Sequence, residues 1–285
     1  MKVLCLGGGP AGFYFAISMK LRNPTHEVVV IERNKADDTF GWSVALFNDA
    51  LDNMDQNDAQ SADAIRDSFV YWDDIAMHHK GQCTTSGGHG FAGVGRHKML
   101  VILQARTREL GVDLQFETAF QSTSTTKADY DLVVACDGIN SLVRTEYQSH
   151  FKPDIDVLTC KCIWLGTHQK FNDAFTFIFE KTKYGWIWIH AYQPDQNTAT
   201  VIVECTNETW NNFGFEHMSK DQIITECEKV FADHLNGHKL ILNADHLRCS
   251  AVWMNFPRVI CEKWHHENIV LMGDAAATGR FFNRL

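Results

Sequence analysis

Apolar positions follow two different rhythms along this chain. In the first, short unbroken apolar runs alternate with amphipathic segments. Val3 to Leu6 reads as a buried strand, Pro10 to about Leu21 as a helix, and Val28-Val29-Val30-Ile31 as a second, β-branched strand. Asn23-Pro24 stops the helix between them. Arg96 opens the segment RHKMLVILQARTREL, in which Met99, Leu100, Leu103 and Leu110 suit the packed face of a helix. Tyr130 to Cys136 (YDLVVAC) and Asn268 to Met272 (NIVLM) are further buried strands. Strands separated by helices in this way predict an α/β layer of the Rossmann kind.

Between Leu158 and Cys205 the second rhythm takes over: short strands broken at Asn172-Asp173, at Lys183-Tyr184-Gly185 and at Pro194-Asp195-Gln196-Asn197. This predicts an antiparallel sheet. Alternation along one strand sets Trp186, Trp188, His190 and Tyr192 on one face and Ile187, Ile189 and Ala191 on the other. The aromatic face has two readings. It roofs a flat ligand ring, with His190 as the acid–base group, or it packs on a covering helix, for which Ser219 to Leu235 is the candidate.

Glycines then give the first strand its chemistry. Gly7, Gly9 and Gly12 satisfy G-x-G-x-x-G in Gly7-Gly8-Gly9-Pro10-Ala11-Gly12. Gly7 allows the tight turn, Gly9 lets a pyrophosphate approach the backbone, and Gly12 lets the helix pack closely on the strand. Pro10 falls in the first helical turn, where its missing N–H costs nothing. The free amides there, Ala11 included, face a phosphate with the positive end of the helix dipole behind them. Glu32 ends the next strand 20 residues after Gly12, where a carboxylate can accept hydrogen bonds from adenosine ribose hydroxyls. An acid there disfavours a 2′-phosphate, so the tightly bound nucleotide is expected to be FAD or NAD rather than NADP. Arg33 follows it directly.

Composition removes other classes. The 285 residues are 45% hydrophobic and 21% charged, which fits a folded chain with a real core. A net charge of −9 argues against non-specific binding to nucleic acid or to an anionic membrane. No apolar run approaches the ~18 residues of a membrane span, and the N-terminus lacks a signal-peptide pattern. The nine cysteines form no CxxC pair and read as reduced core thiols, which points to the cytoplasm. His78-His79 and His265-His266 lack companions at ligand spacing, so no metal site is expected.

Two later motifs narrow the nucleotide to FAD. Asp137-Gly138-Ile139-Asn140-Ser141-Leu142-Val143-Arg144 follows one strand, and Gly273-Asp274-Ala275-Ala276 follows another and starts what reads as a helix. With the glycine turn and the distal acid, these resemble the flavoprotein aromatic hydroxylases of the p-hydroxybenzoate hydroxylase type. Phe40-Gly41-Trp42-Ser43-Val44, Ile163-Trp164-Leu165-Gly166-Thr167-His168, Ala174 to Phe179, His190-Ala191-Tyr192-Gln193 and Val201 to Cys205 are similar to one subgroup. That subgroup contains salicylyl-coenzyme A 5-hydroxylase, 2-aminobenzoyl-coenzyme A monooxygenase/reductase and the hydroxylase of violacein synthesis.

The resemblance implies a Rossmann-like FAD-binding domain with an inserted antiparallel β-sheet substrate domain. Residues 1–157 would be the main FAD-binding part, with a substrate-side excursion near 73–94. Residues 158–262 would form the substrate sheet and helix, and 263–285 would return to the FAD-binding domain. It further implies that Asp274 meets the ribityl chain and that the amides of Gly273 to Ala275 face the pyrophosphate. Asp137 and Gly138 would shape the turn beside the dinucleotide and the approach of NAD(P)H. Arg96 would reach the FAD, and Gly41, Trp42 and Ser43 would pass beside the isoalloxazine. Ser43 stands where the subgroup usually has glycine. The implied reaction is hydroxylation of an aromatic ring, best matched by an aromatic acyl-CoA, with NADH or NADPH and O₂ through a flavin C4a-hydroperoxide. After Ala276 the family continues through a histidine and a glycine-rich loop, whereas this chain reads Ala277-Thr278-Gly279-Arg280-Phe281-Phe282-Asn283-Arg284-Leu285. The expectation is therefore a shortened chain that holds FAD weakly and hydroxylates poorly. Two alternatives stand beside this reading: a flavin-dependent reductase or dehydrogenase on the same scaffold, and a non-catalytic nucleotide-binding remnant.

Overall fold

The computed structural model describes residues 1–39, 41–46, 48–121, 127–171, 174–195, 197–242 and 253–279. Phe40, Gln196, the break expected at Asn172-Asp173 and residues 280–285 lie outside the described residues. The chain opens with β1 (Lys2–Leu6), α1 (Pro10–Arg22) and β2 (Glu27–Ile31), the unit expected from the glycine motif. Pro10 starts α1, Lys20 and Arg22 sit at its carbonyl end, and the extended backbone of Asn23 ends it. The helix buries Gly12, Phe13, Ala16 and Ile17 on one face.

The next stretch holds β3 (Ser43–Leu46), α2 (Asn48–Arg66), β4 (Val70–Trp72), β5 (Asp74–His79), β6 (Gln82–Ser86) and β7 (Phe91–Gly95). The apolar rhythm predicts no helix there, because α2 is mostly polar and its packing rests on a thin stripe that includes Leu51, Ala62 and Ile65. It is bent at Asp58, whose φ of −152° and ψ of 86° are not helical. Then follow α3 (Arg96–Glu109), β8 (Asp113–Gln115), β9 (Leu132–Ala135), α4 (Leu142–Glu146) and α5 (Gln148–Phe151). In α3 the expected face is packed: Met99, Leu100 and Leu103 are buried, and Leu110 is partly so.

The second rhythm gives β10 (Pro153–Thr167), β11 (Ala174–Thr182), β12 (Gly185–Tyr192) and β13 (Ala199–Thr206). After them come α6 (Asn207–Phe213), α7 (Lys220–Val230), α8 (Ala232–Leu235), β14 (Leu240–Ile241) and β15 (Met254–Cys261). A capping box between Ser219 and Gln222 starts α7. The described chain closes with β16 (His265–His266) and β17 (Ile269–Leu271).

These strands make three sheets. A six-stranded sheet has the order β16-β17-β9-β1-β2-β8, parallel except for the antiparallel edge strand β16. A larger one, of eight strands if β15 is counted beside its seven-strand path, has β14-β10-β13-β12-β11-β5-β6 with β15 on β10. A small sheet joins β3, β7 and β4. The larger sheet is antiparallel as expected, with one correction: β5 adds to β11 in parallel, Phe177 opposite Met77. Residues 74–86 thus join the larger sheet from within the first part of the chain. β10 is one continuous strand through the 157/158 boundary, and its ladder with β15 shifts register between Val157 and Lys161.

Which helix covers which face of the larger sheet is also settled. Ile187, Ile189 and Ala191 are fully buried with Phe213, Ile223 and Cys227 from the helices. The helical pair α7–α8 therefore lies on the aliphatic face, not on the aromatic face of Trp188, His190 and Tyr192. A second correction concerns the end of β17. The sequence predicts an α-helix from Gly273, but Gly273–Ala275 is a single 3₁₀ turn. Its carbonyls are taken elsewhere: Arg144 Nη1 donates to the oxygens of Ala275, at 3.0 Å, and Asp274, at 3.4 Å. Thr278 then donates its amide to the oxygen of Val259, which ties the chain to β15 instead of continuing a helix.

Candidate functional site

Gly7 has φ of +113°, and a Cβ there would come within 2.3 Å of the Cys136 carbonyl oxygen. Only glycine fits, because the turn after β1 lies directly on the end of β9. At Gly12 a Cβ would come within 2.1 Å of the Gly7 oxygen, so this position holds helix and turn together. Gly9 differs from both. It precedes α1 with φ of −84°, and a Cβ built on it meets nothing within 4 Å. The chain leaves open space there, in front of the first free amides of the helix.

Glu32 holds the turn from the side. One carboxylate oxygen accepts from the Gly8 amide at 2.8 Å, and the other from the amide and side chain of Asn34, both at 2.9 Å. Gly8 carries no separate signal in the sequence, yet a Cβ built on it would come within 2.9 Å of Glu32. Arg33, beside it, is exposed.

The late motif arrives at the same place. Met272 donates its amide to the Ala135 oxygen at 2.9 Å, and a Cβ on Gly273 would lie 3.0 Å from the Ala11 side chain. Gly273 and Asp274 are solvent-facing, whereas Ala275 is buried. The middle motif is joined to it through Arg144, which is 5% exposed and bonds the carbonyls of Ile139, Asp274 and Ala275. The signal for Arg144 was its fixed place at the end of D-G-x-x-S-x-x-R, but its role as a tie between motifs is a tertiary fact. Asp137 caps α4, accepting from the amides of Leu142 and Val143 at 2.8 and 3.3 Å, while Ser141 accepts from the Arg144 amide. Gly138 completes the turn at φ of +80°.

Arg96 approaches from the opposite wall. Its backbone amide donates to the Trp42 oxygen at 3.0 Å. Burial pushes its guanidinium below the usual arginine range, and the nearby Asp274 carboxylate offsets part of that cost. Its Nε is buried without a hydrogen-bond partner, as is Asp137 Oδ1. Buried polar atoms left in this state suit a polar group of a bound molecule. With the open space at Gly9, the exposed Asp274 and the free amides of α1, these residues could hold a dinucleotide. The fit to FAD is good on this side. It lies in the crevice beyond the carboxyl ends of parallel strands, where such sheets bind ligands.

Trp42 also joins this crevice to the larger sheet. A Cβ on Gly166 would lie 2.6 Å from the Trp42 ring, and one on Gly41 would lie 2.9 Å from the Trp164 ring. Each tryptophan therefore covers the other segment's glycine. Ser43 is buried, its hydroxyl 2.5 Å from that of Thr200. Ser43 thus grips the sheet.

On the sheet's aromatic face, Phe175 stacks on Tyr192 at 5.0 Å and Phe177 lies 5.0 Å from His190. Trp72 and Phe91, at the edge of and within the excursion expected near 73–94, close one end of this row. His190 is buried, and burial pushes its imidazole down to about 3, so it is neutral at physiological pH. Its Nε2 lies 3.4 Å from Oε2 of Glu204, whose carboxyl burial raises while the Trp188 indole N–H donates to it. A neutral imidazole can hold or pass a proton but does not begin as an imidazolium.

Among the described residues no group of histidines, cysteines and acids is placed to hold a metal. No helix among them is long and apolar enough to cross a membrane.

Comparison with known proteins agrees with this geometry. The chain is 36% identical over 99% of its length to salicyloyl-CoA 5-hydroxylase of a Streptomyces species, and spans 54% of that protein. It is 29% identical to protodeoxyviolaceinate monooxygenase of Chromobacterium violaceum, covering 99% of this chain and 74% of the relative. Among solved structures, 2-methyl-3-hydroxypyridine-5-carboxylic acid oxygenase shares the fold at a TM-score of 0.73 and 18% identity, over 97% of this chain and 75% of the other. Residues 1–278 match the FAD binding domain family, and the chain belongs to that family.

Proposed function

We propose that this chain is the FAD- and ring-binding part of a monooxygenase that hydroxylates an aromatic ring, using NAD(P)H and O₂. The observation that carries this reading is the placement of Trp42. Its carbonyl accepts from Arg96 in the nucleotide crevice, while its ring covers Gly166 on the aromatic sheet. A ring lying on that sheet is therefore held beside the flavin end of the crevice. In this reading Gly9, Ala11, Glu32, Arg96, Gly273 and Asp274 hold the cofactor. Residues 1–157 and 263–285 form its domain, and 158–262 form the substrate domain.

When bound, FAD supplies the redox chemistry: it accepts hydride from NAD(P)H and activates O₂. The chain's residues do the rest. Gly9 and the amides of α1 fix the pyrophosphate, and Arg96 provides positive charge where electrons accumulate. Phe177 and Trp188, half-buried on this face, offer flat apolar surface that would align a ring and displace water, with Phe175 and Tyr192 packed beside them against Trp72 and Phe91. No nucleophile is required. Kinship with salicyloyl-CoA 5-hydroxylase favours an aryl thioester as substrate. Buried free thiols such as Cys5 and Cys227, pushed up to about 12 and above the usual thiol range, suit a reducing cytoplasm.

The test is turnover with salicyloyl-CoA, NADH or NADPH and ¹⁸O₂ on the FAD-loaded protein. The proposal predicts ring-stimulated NAD(P)H oxidation with one labelled oxygen in the product. Equal turnover without O₂ would replace it with the reductase reading.

A further inference from the structure

Glu204 is the one charged side chain in β13 (ATVIVECT), and it lies on the aromatic face of the larger sheet. It stands opposite Trp188 on one side and Cys162 on the other, and Trp188 in turn stands opposite Phe179. Both of its neighbouring donors meet the same oxygen. The Trp188 indole N–H donates to Oε2 at 2.8 Å, and His190 Nε2 lies 3.4 Å from it. The side chain keeps 18% of its surface exposed, and among the described residues Oε1 has no protein donor. No lysine or arginine among the described residues pairs with it. The Cys162 thiol, pushed up to about 12, stays protonated, and Lys181 lies farther along the face over Trp186. Phe177 and Phe179 flank the spot through His190 and Trp188.

We infer that Glu204 selects the substrate: its free oxygen accepts a hydrogen bond from a hydroxyl or amino group on the ring, and its charge disfavours a ring bearing a free carboxylate. A donor on the ring gives the solvent-facing oxygen of this half-buried acid a partner in place of water. A ring carboxylate brings a second negative charge into a poorly solvated place with no cation to receive it. An electron-rich arene whose carboxyl is masked as a thioester or amide meets both demands. The assignment rests on the reading above insofar as a ring occupies this face.

The test is a binding titration of the protein with salicylamide, benzamide and salicylate, followed by tryptophan fluorescence and by calorimetry. The inference predicts that salicylamide binds about tenfold or more tighter than either of the others. Glu204→Gln keeps an acceptor but removes the charge, so salicylate should gain about tenfold relative to salicylamide. Glu204→Met removes the acceptor and should erase the preference for salicylamide over benzamide. Thermal melting checks that each variant folds, and the glutamine variant alone decides the matter if the methionine one does not. A salicylate-to-salicylamide ratio unchanged by Glu204→Gln, while all three rings bind, would overturn the inference and leave the ring site standing. Failure of every ring to bind the parent protein would overturn the ring site and this inference with it.

Discussion

Arg144 shows how one residue turns separate motifs into a site. It reaches from the loop after β9 to the carbonyls of Asp274 and Ala275 and bonds the Ile139 oxygen as well. Arg144→Met keeps the length but leaves buried carbonyls without donors. It should cost about 3 kcal/mol in urea denaturation; a loss within about 0.5 kcal/mol would show that the tie carries no weight. The sequence made the glycines legible at this scale because their requirement is local: Gly7 needs positive φ, and Gly12 needs to lack a side chain. Arg144, Gly8 and Glu204 carry no such local sign, because their partners are distant in sequence. The one hint for Glu204, a lone acid in an apolar strand, does not say which face it meets.

Among the elements, α2 is where a buried ion pair replaces apolar packing. Asp58 breaks the helical backbone and accepts from Arg106 of α3 through both oxygens, at 3.1 and 3.0 Å, and from Ser61. Burial alone would raise the Asp58 carboxyl, but the bonds from Arg106 and Ser61 hold it below the usual range. A carboxyl depressed in the folded state stabilises fully above its unfolded value near ~4, and that contribution fades as pH falls through the folded value. Asp58→Asn should therefore cost about 3 kcal/mol at pH 7. The gap from the parent protein should shrink as denaturation is repeated toward pH 3, whereas a gap independent of pH would contradict the assignment. The polar composition of α2 also explains why the apolar rhythm does not reveal it. The α/β strands and α3, by contrast, were legible because each carries a continuous or one-faced apolar pattern. The helix expected at Gly273 became a turn because Arg144 and β15 compete for its backbone, which no local pattern encodes.

For the molecule as a whole, what matters is that segments far apart in sequence meet at the carboxyl ends of β1, β9 and β17. Ala11 and Gly273 touch there, Gly7 lies on Cys136, and Arg96 stands near Asp274. The aromatic sheet is fastened to this crevice by the reciprocal packing of Trp42 on Gly166 and of Trp164 on Gly41. The position at which the proposed cofactor contact can be tested apart from folding is Gly9. A side chain at Gly7 or Gly12 collides with backbone, but at Gly9 it enters empty space, so Gly9→Val should leave the fold intact. The decisive measurement is an FAD titration of the parent protein and Gly9→Val, with thermal melting of both. If the pyrophosphate lies against this turn, the variant melts within a few degrees of the parent and binds FAD at least about tenfold more weakly. Equal FAD affinity in a correctly folded Gly9→Val protein would contradict the account.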